Sequence, residues 1–306
     1  MGEVNSSTVL DDDNLVDNNL LEGPPATTWN DLKHARLRRF PGCATDIKWL
    51  EYLGHGEEGI VFKASIRDDE TPVAIKVFWH TRRPKPHILP GGTPIHFTWP
   101  FKRESRTVAL IQKIQWAMSE VEQDPKQTVA IKYRPRTRRH AQAMIKAFSE
   151  EERYVPRTST PNSNGLAPFP PFPTCHGWLK LEKSQLPRLH PPVRKKTDDI
   201  GWHWAIVYEY VASTTQDPSI AQTFFDFFYA IGFGLEPFRA DNWRGGRLVD
   251  MNDIRSPFCS AWRPEVVRHY KAAELFLAQD RAEAPTVRHQ IIRRNSNSTS
   301  SSHILQ

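Results

Sequence analysis

The first third of the chain contains two motifs whose residue types suit the binding of nucleotide phosphates. Residues 53–61 fit the pattern G-x-G-x-x-G-x-V, and residues 73–76 read Val-Ala-Ile-Lys. Glycines suit a loop over phosphates because bare backbone N–H groups approach the oxygens closely, and the lysine would neutralise the α- and β-phosphates. The spacing therefore predicts a site for ATP. Its binding residues would include Gly54, Gly56, Gly59, Val61 and Lys76.

The glycine pattern alone is weak, and the residues that follow it decide between two kinds of nucleotide site. In a dinucleotide-binding domain the glycines would open a helix. Here a strand-like run at residues 60–66 follows directly, which predicts a strand–turn–strand hairpin of the kind that covers ATP phosphates. The alternative is a plain hairpin whose glycines are coincidental.

A lysine in such a site is normally paired with a glutamate on the following helix. Residues 102–121 are predicted to be helical because their apolar residues recur at spacings of three and four. Glu104, near the start of this helix, is the candidate partner of Lys76. The alternative for Glu104 is a solvated first-turn acid that the helix dipole favours.

A later strand-like run, residues 204–211, is predicted to lead into a hinge beside the adenine. There Tyr208 would lie behind the adenine pocket, and the stretch from Glu209 to Val211 would offer backbone groups to the base. A buried core strand fits the same side chains equally well.

The second half of the chain lacks the usual base for phosphoryl transfer to a hydroxyl. The expected catalytic loop reads H-R-D-x-x-x-x-N, and no such string occurs. Counting back five positions from Asn242 reaches Pro237, which cannot accept a proton. Glu236 and Asp241 are candidate substitutes, although each would need a shifted backbone. The sequence therefore predicts an impaired catalytic site.

A glycine pair further on predicts a metal position. Residues 245–252 resemble a tight hairpin that leads to a metal-binding aspartate, and Asp250 takes the place of the D-F-G aspartate. Asn242 and Asp250 are therefore the candidate ligands of Mg²⁺. The alternative for Asp250 is a turn or strand-end aspartate, and Asp253 is a weaker candidate ligand.

Composition divides the chain into ordered and disordered parts. Residues 1–28 are polar and acidic, and residues 285–306 are rich in serine and asparagine, so both are predicted to be disordered. The rest predicts an α+β fold, in which three strands and a helix precede two strands and a mainly helical end that includes a helix opened by Pro264. Polar and basic insertions are predicted at residues 84–100, 122–172 and 182–200.

The cysteine content, the N-terminal residues and the net charge indicate the cellular compartment and the kind of partner. Three widely spaced cysteines and an acidic N-terminus favour reduced thiols and a nuclear or cytoplasmic location, and they argue against secretion. No apolar run reaches the length of a membrane span. The net charge of +6 admits nucleic acid as a partner, with a solvated basic loop as the alternative. The candidate contacts are residues 194–196 and Lys132, Arg134, Arg136, Arg138 and Arg139.

These motifs together resemble a fungal family of protein-kinase-like proteins related to an inner-kinetochore subunit of the Sim4 complex. The most specific part is an asparagine–tryptophan pair followed by two glycines and an aspartate, within residues 242–254. The other matching pieces are residues 53–61, 73–78, 101–104, 204–211 and 226–233. The resemblance implies a protein-kinase-like bilobal fold, with an antiparallel-sheet N-lobe at residues 29–212 and a shortened helical C-lobe at residues 213–280. It also implies nuclear residence and protein interaction at kinetochores.

Three functions remain open at this stage. The missing base and the short C-lobe favour a pseudokinase that acts by binding protein partners and retains a site for ATP and Mg²⁺. The retained Lys76, Asn242 and Asp250 favour an active phosphotransferase with an atypical catalytic loop, since phosphoryl transfer depends mainly on positioning and charge. The basic loops favour a nucleic-acid or chromatin contact.

Overall fold

The computed structural model describes residues 15–67, 69–83, 99–124, 126–131, 135–153, 166–188, 201–235 and 242–276, together with the backbone of two short strands between residues 87 and 95. The architecture is mixed α+β, with one large, mostly antiparallel sheet and few helices. The strands are β1 (Asp17–Leu20), β2 (Arg38–Arg39), β3 (Ile47–His55), β4 (Gly59–Ile66), β5 (Asp69–Phe78), β6 (His87–Ile88), β7 (Pro94–Ile95), β8 (Cys175–Glu182), β9 (Trp202–Glu209), β10 (Gly234–Leu235), β11 (Trp243–Arg244), β12 (Arg247–Leu248) and β13 (Ile254–Arg255). The helices are α1 (Trp29–Lys33), α2 (Pro100–Gln123), α3 (Arg138–Lys146), α4 (Glu150–Arg153) and α5 (Pro218–Ala230), and residues 272–276 are also helical.

Seven strands form the central sheet in the order β1-β2-β8-β9-β5-β4-β3. The predicted meander is present: β3, β4 and β5 pair antiparallel in sequence order, because β-branched and aromatic residues fill them and short polar turns connect them. β9 pairs antiparallel with both β5 and β8. β1 and β2 extend the sheet beyond β8 through two parallel pairs.

Two apolar cores lie on the two faces of this sheet, because side chains alternate along each strand. On β5, Ile75 and Val77 belong to one core, and Phe78 belongs to the other, together with α2. The α2 core is continuous from Leu15 near the N-terminus to Phe276. Apolar packing among the described residues therefore joins the sheet to the elements after β9.

Helix α2 is the long helix that the apolar spacing predicted. It begins at Pro100, where a proline fits the first turn because that N–H has no helical partner. Phe101 stacks on Trp204 of β9 with ring centroids 4.6 Å apart, and Ile111 and Ile114 are buried. This packing lays α2 along the sheet. Among the described residues, no helix combines the length and apolar character needed to cross a bilayer.

An aromatic cluster and a tight hairpin organise the residues after β9. Phe224 and Phe225 of α5 each meet Trp243 with ring centroids 5.2 Å apart. Trp243 starts the β11–β12 hairpin, whose turn residues Gly245 and Gly246 have φ of 57° and 79°. Both values lie where glycine is favoured, so the glycine pair forms the hairpin that the sequence predicted.

The ordered part of the N-terminus begins earlier than composition indicated. Residues 15–28 were predicted to be disordered with the rest of residues 1–28, but Leu15 and Val16 are buried and β1 follows them. The backbone N of Asp17 donates to the carbonyl of Leu37 at 2.9 Å. Two buried apolar residues, the pairing of β1 with β2 and side-chain donors such as Trp178 Nε1 to the carbonyl of Asp17 therefore hold a segment that is otherwise polar.

The prediction of a helix that begins at Pro264 is wrong, and the described residues after β9 are less helical than expected. Pro264–Val266 is a single 3-10 turn. The side chain of Gln222 on α5 forms hydrogen bonds with the backbone that follows this turn. Its amide N donates to the carbonyl of Tyr270 at 3.1 Å, and its amide O accepts from the backbone N of Ala272 at 3.0 Å. Hydrogen bonds from α5 thus replace the helical ones.

The predicted insertions are shorter than the sequence suggested. Residue 100 and residues 122–123 belong to α2, and residue 182 belongs to β8. Within residues 122–172, the structure has the two helices α3 and α4. Met144, Ile145 and Phe148 are buried, so this segment contributes to the core.

Candidate functional site

Lys76 lies at the centre of a group of charged side chains from three parts of the fold. Its Nζ is 2.7 Å from Oε2 of Glu104 on α2 and 2.9 Å from Oδ1 of Asp250, which caps the 3-10 turn Met251–Asp253. Lys76 faces α2 because Ile75 and Val77 occupy the opposite face of β5. The structure therefore brings together three residues that were predicted from separate motifs.

Glu104 is fully buried, and each of its oxygens has a donor. The hydroxyl of Tyr208 donates to Oε1 at 2.7 Å, while Lys76 and Nδ2 of Asn252 both donate to Oε2. Tyr208 was predicted to lie behind adenine, and its hydroxyl is directed to Glu104. Because a buried carboxylate is costly without a charged partner and hydrogen bonds, these donors make Glu104 the point that joins the sheet, α2 and the turn after Asp250.

The electrostatics of this group keep Lys76 charged. Burial alone would lower the pKa of Lys76, but the carboxylates of Asp250 and Glu104 outweigh it and raise this pKa above its ordinary value. Burial acts to raise the pKa of Asp250, yet the Lys76 ammonium holds this pKa below its ordinary value. Lys76 and Asp250 are therefore both ionised at neutral pH.

The glycine motif forms the turn between β3 and β4. A Cβ on Gly59 would lie 2.3 Å from the carbonyl oxygen of Val77, so glycine is needed there for β4 to approach β5. Cβ atoms on Gly54 or Gly56 would meet nothing within 4 Å, although Gly54 has a φ of 154° that favours glycine. Gly56 therefore faces open space, and neither close packing nor a left-handed backbone accounts for it.

Trp79, directly after β5, fixes this turn. Its backbone N donates to the carbonyl of Glu58 at 3.1 Å, and its indole Nε1 donates to the carbonyl of Gly56 at 3.0 Å. Trp79 is itself buried in the core on the face opposite α2. The glycine turn is therefore attached to the strand that carries Lys76.

A second ionic contact, which the sequence did not reveal, connects the glycine turn to α2. Arg103 donates to the carboxylate of Glu58, and its Nε donates to Oδ1 of Asn252 at 3.1 Å. Since Asn252 also donates to Glu104, this contact extends the network around Lys76. One indication of this contact was present in the sequence, namely the positions of the two residues: Glu58 lies inside the glycine motif, and Arg103 directly precedes Glu104.

Val61 lies beside Lys76 in the sheet, and the two hinge candidates lie at the end of β9. Val61 is opposite Lys76 in the β4–β5 register, so the two side chains share a face. Val211 follows the end of β9 and is partly buried. The backbone N of Glu209, predicted to face adenine, donates to the carbonyl of Thr174 at 2.7 Å.

The side chain of Glu209 is also engaged within the fold. Its carboxylate accepts from Arg247 of β12 at 2.9 Å and from the backbone N of Thr174 at 3.0 Å. The hinge candidate therefore links the end of β9 to the β11–β12 hairpin.

The two candidate metal ligands have different partners. Nδ2 of Asn242 donates to Oδ2 of Asp253 at 2.7 Å, whereas Asp250 contacts Lys76. Within the part of the chain that the structure describes, no three His, Cys, Asp or Glu side chains cluster as a metal site. The candidate catalytic substitutes Glu236 and Asp241 lie outside the described residues.

Among the basic residues 132–139, Arg138 makes contacts within the fold. Arg138 donates to the carbonyl of Ser260 at 3.1 Å and lies 5.8 Å from the ring centroid of Trp262. Arg136 and Arg139 are exposed. Outside the described residues lie Lys132, Arg134 and residues 194–196.

The fold and the site define a mixed α+β protein in which ion pairs, of which Lys76–Glu104 is buried, join a large sheet, a long helix and the turn after Asp250. The family model for kinetochore Sim4 complex subunit FTA2 matches residues 24–254 of the 306 residues, which include all the residues of this network. The chain therefore belongs to the kinetochore Sim4 complex subunit FTA2 family. No curated protein sequence matches it.

Proposed function

We propose that this protein is a kinetochore subunit that acts in the nucleus as a non-catalytic, protein-kinase-like interaction module with a nucleotide-type site. The observation that carries the proposal is the contact of Lys76 with Glu104 and Asp250. Protein kinases pair a strand lysine with a helix glutamate and place a metal-binding aspartate beside them. Here the same residue types stand on β5, on α2 and after β12.

The sheet topology supports the kinase-like part of the proposal. β3, β4, β5, β9 and β8 form consecutive antiparallel neighbours, with α2 packed on one face, and this arrangement suits an N-lobe within residues 29–212. The region from residue 213 onwards would be a shortened C-lobe built around α5.

The assignment as non-catalytic rests on the sequence of the catalytic loop. Pro237 stands where a base would accept the proton of the substrate hydroxyl. Asn242 is bound to Asp253 and not directed to Asp250. The membership of the chain in a kinetochore subunit family favours function through protein contacts.

The residues present fit Mg-ATP, with one opposing charge. Lys76 would contact phosphates, Asp250 would face Mg²⁺ with its 36% exposed side chain, and the open side of Gly56 leaves room for a ligand. Burial lowers the pKa of Lys76, and the carboxylates of Asp250, Glu104 and, with a smaller effect, Glu58 of the glycine turn raise it. An acid at this position would repel phosphate, so we expect weak nucleotide binding.

The test is a double variant of the full chain, Lys76→Met with Glu104→Gln, which is expressed in cells in place of the wild-type chain. This pair removes the phosphate-binding charge and leaves no unpaired buried carboxylate at position 104. The readouts are centromeric DNA recovered by immunoprecipitation of the chain and partner proteins recovered with it. Thermal unfolding of the purified variant establishes that it is folded.

If the chain acts as an interaction module, the folded double variant should remain at centromeres and keep its partner proteins. Loss of both with the fold intact would show that function depends on nucleotide or phosphotransfer. Absence of the wild-type chain from centromeres would overturn the kinetochore part of the proposal.

A further inference from the structure

Arg103 is a second cation beside Lys76, and the acid that neutralises it lies on the glycine turn. The guanidinium of Arg103 donates to the carboxylate of Glu58, and its Nε donates to Oδ1 of the buried Asn252 at 3.1 Å. The side chain of Arg103 is 12% exposed, and that of Glu58 is 26% exposed. A buried amide therefore holds Arg103 from within the fold, and an acid that solvent reaches holds it from the turn.

The charges of this pair act on the two residues proposed to face phosphate and Mg²⁺. Burial lowers the pKa of Lys76, and Glu58 is the third of the carboxylates that raise it. Burial acts to raise the pKa of Asp250, and Arg103 adds to the effect of Lys76 in lowering it. The pair Glu58–Arg103 therefore lies within electrostatic reach of the pair Lys76–Asp250.

The side chain of Glu58 can leave Arg103 without a movement of the main chain. The carbonyl of Glu58 accepts from the backbone N of Trp79 at 3.1 Å, and the carbonyl of Gly56 accepts from the indole Nε1 of Trp79 at 3.0 Å. These bonds hold the backbone of the turn, and a change of rotamer directs the Glu58 carboxylate to solvent. Arg103 keeps its hydrogen bond to Asn252 in either case, so its guanidinium stays in position.

We infer that Arg103 is a second phosphate-binding residue of the nucleotide-type site, and that Glu58 and a nucleotide phosphate occupy it in turn. The inference rests on the proposed nucleotide site and deepens it. Arginine binds carboxylate and phosphate oxygens through the same N–H donors, so the two anions exclude each other. Lys76 supplies one positive charge against the several negative charges of a nucleoside triphosphate, and a second cation therefore strengthens binding. In the free chain Glu58 neutralises a guanidinium that is mostly buried.

A double-mutant comparison on the full chain tests this exchange. Isothermal calorimetry with Mg-ATP at one ionic strength compares the wild type, Glu58→Gln, Arg103→Gln and the double variant. Glu58→Gln should tighten Kd roughly three- to tenfold in the wild-type chain, and less than about twofold in the Arg103→Gln chain, where no guanidinium is released. In the Glu58→Gln chain, Arg103→Gln should weaken Kd about tenfold, because the phosphate loses a charged donor.

A ligand without phosphate and a distant ion pair are the matched controls. Adenosine should bind the wild type and the variants with the same Kd. Arg67→Gln removes an arginine whose Nε lies 2.7 Å from Asp46, directly after β4 and at the opposite end of that strand from the glycine turn, and it should leave Mg-ATP binding unchanged.

Thermal unfolding establishes that each variant is folded, and Arg103→Lys replaces Arg103→Gln if the latter does not fold. Lysine keeps the charge and lacks the fork of donors, so Arg103→Lys in the Glu58→Gln chain should weaken Kd about threefold.

Two outcomes would overturn the inference and leave the nucleotide site in place. An equal gain from Glu58→Gln with and without Arg103 would show that Glu58 acts on phosphate by repulsion alone. An equal change in the binding of adenosine would show that the variants alter the site as a whole and not a phosphate contact. If none of these chains binds Mg-ATP, the nucleotide site itself is wrong, and the inference falls with it.

Discussion

Lys76 and Glu104 are 28 positions apart in the chain, and their side chains meet at 2.7 Å inside the fold. The contact joins β5 to α2, and the second oxygen of Glu104 accepts from Tyr208 on β9. α2 is thereby tied to two neighbouring strands of the sheet. A shift of the helix along the sheet would leave a buried charge without its partner, so the pair fixes the position of α2.

Lys76→Met should therefore destabilise the fold strongly on its own and much less together with Glu104→Gln. The single change leaves the buried carboxylate unpaired, which typically costs about 3–5 kcal/mol. The double change removes that charge, and we expect it to recover most of the free energy of unfolding. Urea unfolding at neutral pH measures both effects.

Lys48→Met on the exposed side of β3 is the control for losing a lysine from the sheet, and it should change stability by less than about 0.5 kcal/mol. The cost of Lys76→Met should also shrink as the pH falls, because protonation neutralises Glu104. A single variant as stable as the wild type would show that the ion pair does not position α2.

Local pattern was sufficient to predict the strands around Lys76 and the glycine turn. The spacing of apolar residues in β4 and β5 defined a hairpin, and the period of α2 placed Glu104 on a helix just downstream. Each of these signals spans fewer than about 20 residues, which is the range over which periodicity reports secondary structure. The pair Lys76–Glu104 became predictable because a known chemical arrangement joined two such local signals.

The remaining contacts of the site could not be predicted in this way, because they depend on tertiary packing. Asn252 and Arg103 are 149 positions apart, and neither has a spacing that singles it out. The helix expected after Pro264 failed for the same reason: Gln222 of α5 takes the backbone hydrogen bonds that a helix would have used. Propensity gave no information on that competitor.

Two glycines of the motif should respond differently to the same substitution. Gly59→Ala would place a Cβ 2.3 Å from the carbonyl oxygen of Val77, so β4 must move away from β5, and we expect a loss of about 1–3 kcal/mol. Gly56→Ala meets no atom within 4 Å and should change stability by less than about 0.5 kcal/mol. Thermal unfolding of both variants is the measurement. Equal losses would show that the turn does not have the geometry described.

Asp253 should make the fold less stable as the pH rises towards neutrality. Burial is the main cause that raises its pKa from 3.8 to about 7, with a further contribution from Asp250 against the hydrogen bond from Asn242. The folded state therefore holds the proton more tightly than the unfolded state, and this stabilisation is present below pH 4 and is lost as the pH rises through 7.

Asp253→Asn should remove that dependence, because the amide oxygen still accepts from Asn242 and carries no charge. The difference in unfolding free energy between pH 5 and pH 8 should fall by about 1–2 kcal/mol relative to the wild type, after allowance for partial exposure. Glu51→Gln on the exposed side of β3 is the control and should leave the wild-type dependence in place. A wild-type pH profile retained by Asp253→Asn would assign the titration to another group.

Glu58→Gln should strengthen the binding of Mg-ATP to the full chain. Glu58 is one of the carboxylates that act on Lys76, and it stands in the turn that would cover the phosphates. Removing one like charge at a partly exposed position should tighten Kd by roughly three- to tenfold, which corresponds to about 0.7–1.4 kcal/mol. Isothermal calorimetry at one ionic strength compares this variant with the wild type and with Glu57→Gln, whose exposed charge should matter less.

Lys76→Met with Glu104→Gln should abolish binding, because the phosphate-neutralising ammonium is gone. If neither the wild type nor Glu58→Gln binds Mg-ATP, the charged network is a purely structural joint and the nucleotide part of the proposed function is wrong.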